Sequence, residues 1–160
     1  MKTRSLVLPG KGVRRVYAAL FAVMAFTGFG QMPIFKRYYV SDIPGMGWSA
    51  DFYLTHTIHY LGAIVLLGLF AYLAADYLLS VRRRYRLTAA GMVRAALLAG
   101  IVITGIFRVL KNLPDVTFSP AFTLIIDIAH LGFMMVFLVA ALAFALTKKG
   151  WVLEREMNPS

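Results

Sequence analysis

Four apolar runs, each long enough to cross a membrane, constrain what this chain can fold into. They cover residues 16–35, 53–79, 92–110 and 121–146. A spanning helix needs about 20 apolar residues, because the hydrocarbon core of a bilayer is roughly 30 Å thick. The composition agrees, since 60% of the residues are hydrophobic and the mean hydropathy is +0.73. The sequence therefore predicts an all-α membrane protein, a four-transmembrane-helix bundle that forms one integral membrane domain over residues 1–160.

The segments between the runs carry residues that stop helices. The first gap, RYYVSDIPGMGWSAD, contains Pro and Gly, the second, SVRRRYRLTAAG, is basic, and the third, KNLPDVTFSP, has two prolines. No internal repeat is evident, and a second domain has no room. The first run follows a basic segment, as in a signal peptide, but no A-x-A cleavage site follows the run before Lys36. A membrane helix is therefore the favoured interpretation of the first run.

Lysine and arginine are distributed unequally between the two ends of the spans. Of the 17, five precede the first run, five lie between the second and third runs or early in the third, and three follow the fourth. The opposite side holds only Lys36, Arg37, Arg108 and Lys111. The positive-inside rule predicts that both termini are cytoplasmic in a multi-pass protein of the bacterial inner (cytoplasmic) membrane. Nucleic-acid binding is excluded despite a net charge of +10, because the basic residues flank the spans and form no compact basic domain.

The chain has three histidines, and all of them fall inside predicted spans: His56 and His59 in the second and His130 in the fourth. Ionisable residues in a span are costly and usually face a partner, a cavity or a cofactor. Counted from the outer ends of their spans, His59 lies roughly 10 Å deep and His130 roughly 13 Å, with His56 about 4.5 Å nearer the surface. Two histidines at similar depth on two helices predict one bis-imidazole b-type haem, with His59 and His130 as axial iron ligands. His56 is the alternative to His59, because both lie on nearly the same helix face.

Other interpretations of these polar residues stay open. The histidines could only hydrogen-bond across helices. A zinc site would need three or four ligands, and the chain has no Cys. Asp127, one turn from His130, is suited to orienting a ligand or transferring protons. Arg108 and Lys36 are candidate cofactor contacts on the outer side, where they would meet haem propionates, with a simple charge at the lipid headgroups as the alternative.

Small and charged residues elsewhere in the spans allow two interpretations each. Glycines in the first three spans provide room for a flat porphyrin or permit close helix packing; these are Gly28, Gly30, Gly62, Gly100 and Gly105. Asp76 and Arg94 lie near the cytoplasmic ends of the second and third spans. Both are expected to reach the membrane interface or to pair with the arginine-rich loop at residues 82–86.

Three segments carry a resemblance to a known family: RRVYAALFAVMAFTGFGQMP in the first span, IHYLGAIVLLGLF in the second and DIAHLGFMMVFLVAAL in the fourth. In these segments the chain resembles the cytochrome b subunit of membrane-bound formate dehydrogenases and related hydrogenase cytochromes. The resemblance implies a four-helix quinone reductase that takes electrons from an iron–sulfur subunit outside the membrane. Members of that family usually carry two b haems.

The resemblance also shows where this chain departs from the family. The family's outer haem is held by a histidine early in the second span and one midway in the fourth, the positions of His59 (or His56) and His130. The inner haem needs a histidine in the first span and another fourteen residues further along the fourth span. The first span has none, and that position in the fourth is Phe144. The resemblance therefore implies one haem b, near the outer face, and no inner haem.

The family's quinone site lies beside the missing haem, so a quinone or menaquinone is expected nearer the remaining one. His56, Asp127 and Tyr60 are the candidate quinone or proton contacts. The predicted function is that of an electron-transfer subunit in a respiratory redox complex, rather than a stand-alone enzyme. It would pass electrons between an extracytoplasmic iron–sulfur or multihaem subunit, docked on the outer loop KRYYVSDIPGMGWSADFY, and the quinone pool. The alternatives are a haem-free membrane anchor or assembly subunit and, less favoured, a small transporter.

Overall fold

The structure is a computed structural model and describes residues 10–32, 36 and 38–155. Its main elements are four long helices and two short strands: α1 Lys11–Gly30, α2 Phe52–Asp76, β1 Tyr85–Leu87, α3 Ala89–Leu110, α4 Pro120–Leu146 and β2 Val152–Glu154. Helix α2 continues as a π-helical turn, Tyr77–Val81, and two 3₁₀ turns, Val40–Asp42 and Gly47–Ala50, lie between α1 and α2. In this part of the chain four helices are long and apolar enough to cross a membrane. The prediction of a helical protein with four helices able to span a membrane is confirmed, and this architecture is that expected of a multi-pass membrane protein.

Polar caps set the starts of the last three helices. Asp51, Thr88 and Ser119 each stand one residue before a helix, and their side-chain oxygens accept backbone N–H groups of the first turn at 2.8–3.3 Å. Such oxygens satisfy amide donors that have no partner within the helix. Because the spans were predicted from the lengths of apolar runs, these polar capping residues were not included. The helices therefore begin one to three residues before the predicted positions 53, 92 and 121.

The first span was predicted five residues too far along the chain. Helix α1 begins at Lys11 and ends at Gly30, whereas the apolar run covers residues 16–35. The basic first turns were left out of the prediction, but long cationic side chains can reach past a membrane boundary while their backbone is helical. At the other end Pro33 disfavours helical geometry at the residue before it. Residues 33–35 of the predicted span lie outside the described residues.

The described chain divides into two compact units. We call residues 10–80, with α1, α2 and the 3₁₀ turns, the N-terminal hairpin, and residues 81–155, with α3, α4 and the strands, the C-terminal hairpin. In the N-terminal hairpin, Tyr17 packs on Phe70 near one end of the helices, and Thr27 meets His59 near the other. The two helices are therefore antiparallel, and the described residues between them, 31, 32, 36 and 38–51, lie at the loop end of this hairpin.

The C-terminal hairpin is antiparallel in the same way. Arg94 packs on the ring of Phe144 near one end, whereas Thr104 meets His130 nearer the other. Segment 111–119 forms its loop end. At the opposite end β1 and β2 pair in antiparallel register, with Leu87 opposite Val152.

Several glycines allow the helices within each hairpin to approach closely. A Cβ on Gly62 would lie 2.6 Å from the Sδ of Met24 on α1, and one on Gly100 would lie 2.8 Å from the ring of Phe133 on α4. Both distances are too short for a side chain to be added without displacement. These two glycines therefore serve close helix packing, one of the two roles that the sequence allowed.

Arg94 is buried within the C-terminal hairpin. It is 7% exposed, and both terminal guanidinium nitrogens donate to the backbone carbonyl of Lys149 at 3.2 Å. Its guanidinium carbon lies 4.8 Å from the ring centre of Phe144 and 5.2 Å from that of Trp151. The expectation that Arg94 reaches the membrane interface or pairs with the arginine-rich loop stays a prediction, and its contacts to Lys149 and Trp151 lie just past the end of α4. Its charge is offset by carbonyl and ring partners, which fix the chain after α4.

Large apolar side chains cover the remaining helix surfaces. Examples are Ile64, Val139 and Leu142, which are more than 60% exposed. Helices in lipid satisfy their backbone hydrogen bonds internally and present apolar side chains to the bilayer. These surfaces are therefore suited to contact with lipid or with other apolar subunits.

Candidate functional site

His59 is positioned on α2 by a threonine from α1. Its Nδ1 lies 3.1 Å from the hydroxyl oxygen of Thr27, which is 1% exposed. That hydroxyl also lies 2.7 Å from the backbone carbonyl of Val23, one turn earlier in the same helix. A hydroxyl carries one proton, and the short O···O distance assigns that proton to the carbonyl. The Thr27 oxygen therefore accepts a hydrogen bond from the Nδ1–H of His59.

His130 is positioned on α4 in the same way. Its Nδ1 lies 3.0 Å from the hydroxyl oxygen of Thr104 on α3. The Thr104 hydroxyl donates to the carbonyl of Gly100, one turn earlier, at 2.7 Å. His130 is therefore also an Nδ1–H donor.

These hydrogen bonds fix the tautomer of both imidazoles. When Nδ1 carries the proton, Nε2 of the neutral ring carries the lone pair. A hydrogen bond at one ring nitrogen thus prepares the other nitrogen as a metal ligand. Both His59 and His130 are held in the state that an axial haem ligand requires.

A glycine packs against each of these imidazoles. Gly28 follows Thr27, and a Cβ built on it would lie 3.2 Å from the Cε1 of His59. Gly105 follows Thr104, and a Cβ there would lie 3.4 Å from the Cε1 of His130. The Thr-Gly dipeptide therefore supplies a hydrogen-bond acceptor and a flat backbone surface to the same ring.

The two hairpins repeat this arrangement, which the sequence analysis did not detect. We call Thr27–His59 and Thr104–His130 the inner pairs. Each hairpin has a second contact one turn nearer its loop end, which we call its outer pair: Gln31–His56 and Arg108–Asp127. Relative to the inner pair, the residue on the first helix is four positions later and the residue on the second helix is three positions earlier. The sequence signal that could have revealed this repeat is the dipeptide TG, at 27–28 and at 104–105. The number of residues from TG to the histidine differs between the two hairpins, so the repeat has no fixed sequence period.

The outer pair of the N-terminal hairpin contains His56. Its Nδ1 lies 3.3 Å from the Oε1 of Gln31, so the amide oxygen accepts the Nδ1–H. The imidazole stacks on Phe52, with ring centres 5.6 Å apart, and lies 4.9 Å from the ring of Tyr60. Two predicted contacts, His56 and Tyr60, are thus neighbours, and Gln31 joins them as a residue that the sequence analysis missed.

The outer pair of the C-terminal hairpin is charged. Arg108 Nε lies 3.1 Å from Asp127 Oδ1. Lys111 adds a second cation, with its Nζ 2.7 Å from Asp127 Oδ2. Two cations beside one carboxylate leave a net positive charge at this contact. Asp127 and Arg108 were predicted separately, and their pairing was not foreseen.

Aromatic side chains occupy the loop end of the N-terminal hairpin. Trp48 packs against Phe26 of α1, with ring centres 5.6 Å apart. Tyr38 and Tyr39 are 65% and 72% exposed, and Tyr39 has a left-handed backbone with φ 58°. The loop is thus anchored at Trp48 and presents two exposed tyrosines.

In the described part of the chain, His, Asp and Glu side chains form no group of three or more that could hold a metal ion. Comparison with protein-family models, with curated proteins and with solved structures finds no match to this chain. The candidate site therefore has to be interpreted from its own geometry.

Proposed function

We propose that this chain is the membrane cytochrome b subunit of a respiratory redox complex and binds one haem b. His59 and His130 would supply the axial nitrogens. The observation that carries the proposal is the repeated inner pair, because it prepares one histidine of each hairpin as an Nε2 donor. A bis-imidazole haem needs one such donor on each face of the porphyrin. Haem b would supply one-electron redox chemistry to the chain.

The residues around the two histidines would tune this site. Thr27 and Thr104 hold the imidazole planes and increase the basicity of Nε2 by accepting the Nδ1 protons. Gly28 and Gly105 leave the rings free of steric pressure from Cβ atoms. The charged outer pair has a net positive charge and therefore favours anionic groups, so Arg108 and Lys111 are the candidate contacts for propionates.

The remaining parts of the proposal follow from charge and position. The excess of basic residues supports cytoplasmic termini in a bacterial inner membrane. The loop ends then face outward, where an iron–sulfur or multihaem subunit would dock near Tyr38 and Tyr39. Electrons would pass between that partner and the quinone pool, as in the formate dehydrogenase and hydrogenase cytochromes that the chain resembles.

Visible spectroscopy of the purified protein tests this proposal. We expect a reduced-minus-oxidised b-type spectrum and a haem-to-protein ratio of about one. His59→Ala and His130→Ala should each abolish the signal. His56→Ala is the matched control, because it removes an imidazole one turn away on the same face.

The outcome of these replacements separates the interpretations. Haem loss in His56→Ala with retention in His59→Ala would transfer the axial role to His56. A colourless wild-type protein would contradict the proposal and favour a haem-free anchor or assembly subunit. That alternative has an observation in its favour, because both histidines make hydrogen bonds across helices within their own hairpins.

A further inference from the structure

A small cavity opens at the loop end of the N-terminal hairpin. Its volume is about 220 Å³. The lining comes from the end of α1, the second 3₁₀ turn and the start of α2: Gly30, Gln31, Met32, Lys36, Ser49, Ala50 and Phe52. This volume is several times the ~30 Å³ that one water occupies in the liquid and below the ~300 Å³ of the smallest drug-sized pockets. It therefore suits a single ring whose remaining substituents lie outside.

Two buried polar atoms of this lining lack partners. Among the described residues, nothing hydrogen-bonds to the Nε2 of Gln31 or to the Oγ of Ser49. Ser49 is 0% exposed. A buried donor without a partner is destabilising, so such atoms usually mark a place where a ligand or water completes the hydrogen bonds.

The chemistry of the lining selects the ligand. Because the Oε1 of Gln31 accepts from His56, its Nε2 is oriented as a donor. Ser49 adds a hydroxyl, and the ammonium of Lys36 adds a cation at the exposed side. These groups favour an acceptor oxygen. Met32, Ala50 and Phe52 supply apolar surface for the ring that carries it.

We infer that this cavity binds the head group of a quinone, with a carbonyl oxygen accepting from Gln31 and Ser49. The inference rests on the proposed quinone-linked function and gives that function a site. Gln31 is four residues from Thr27, and His56 is three residues from His59, so about 4.5–6 Å of helix rise separates the outer pair from the inner pair. The site thus lies beside the proposed axial ligand, at the opposite side of the membrane from the family's quinone site.

The test measures binding of menadione, a tail-less naphthoquinone, to the full-length protein in nanodiscs. Quenching of Trp48, the neighbour of Ser49, reports binding without requiring haem. The Trp151→Phe background removes the other tryptophan. We expect Gln31→Met and Ser49→Ala each to raise the Kd for menadione about fivefold, because each removes one hydrogen bond to the quinone, and the double variant to raise it roughly 25-fold. The haem-to-protein ratio should not change.

Thr57→Ala is the matched control, because this exposed hydroxyl donates to the carbonyl of Tyr53 in its own helix at 2.8 Å and does not line the cavity. Ser49→Ala removes a single buried oxygen, so it tests the site independently if the Gln31 variant misfolds. No menadione binding to the wild type, or an unchanged Kd in the double variant, would overturn the inference. Haem loss with an unchanged Kd would also overturn it, because the donors would then serve a propionate. A haem-free wild type whose menadione binding still depends on both residues would refute the cytochrome proposal and leave the quinone site standing.

Discussion

The hydrogen bonds from Nδ1 of His59 and His130 make a quantitative prediction about Thr27→Val and Thr104→Val. Valine has the shape of threonine but provides no acceptor, so each variant leaves an imidazole N–H without its partner at 3.1 or 3.0 Å. An unsatisfied buried donor costs about 1–3 kcal/mol. Loss of the group that orients a metal-bound histidine typically costs 10–100-fold in affinity. We therefore expect the haem Kd to rise roughly 10–100-fold in each variant, by similar factors because the two pairs are equivalent.

Two measurements check this prediction. Haem titration of the purified apoprotein gives the Kd. ¹⁵N NMR of the imidazoles in the same apoprotein reports the tautomer without haem, and we expect each variant to lose the Nδ1–H preference of its own histidine. The reduction midpoint potential should rise, because a less basic imidazole stabilises the oxidised iron less well.

Thr57→Val is the matched control for the valine variants, and Thr→Ser the rescue. Thr57 makes the same bond to its own helix, and among the described residues its hydroxyl bonds to no histidine, so its replacement should leave the Kd unchanged. Thr27→Ser and Thr104→Ser retain the acceptor oxygen and should bind haem nearly as well as the wild type. Unchanged haem affinity and tautomer in both valine variants would refute the role assigned to the inner pairs. A large effect in only one of them would refute their equivalence.

Two further predictions concern stability, each measured by thermal unfolding in nanodiscs. Gly91→Ala places a Cβ against the backbone carbonyl of Trp151 and should destabilise the protein by about 1–3 kcal/mol, whereas Gly132→Ala, with open space around its Cβ, should be neutral or stabilising. Equal midpoints for the two variants would show that the chain after α4 does not pack on α3 as described. Ser49→Ala removes a buried hydroxyl that has no hydrogen-bond partner among the described residues, and it should raise the midpoint without quinone. A lower midpoint would mean that Ser49 already has a structural partner.

The number and type of the helices could be predicted from the sequence because apolar run length determines which segments can cross a bilayer. Helix ends were less predictable. The start of α1 at Lys11 depends on how cationic side chains reach past a boundary, and the starts after Asp51, Thr88 and Ser119 depend on capping oxygens rather than on hydropathy.

The candidate site was only partly predictable. The three histidines stand out because charged or polar rings are rare in spans, and their haem role stays a prediction. Thr27 and Thr104 did not stand out, because threonine is common in membrane helices and bonds to its own backbone. Their importance depends on the register between two helices, which a single sequence does not give. Gln31 and Ser49 were missed for a similar reason, since polar residues beside a loop normally meet water.

The repeated pairs also give each hairpin a different character one turn away from its histidine. Both halves carry Thr-Gly on one helix and His on the next. At the outer pair, however, one hairpin holds the neutral contact of Gln31 with His56 and the other the ion pair of Arg108 with Asp127. The chain thus combines two similar imidazole environments with two dissimilar flanks, one neutral and one charged, so a ligand that met both halves would meet a different environment at each.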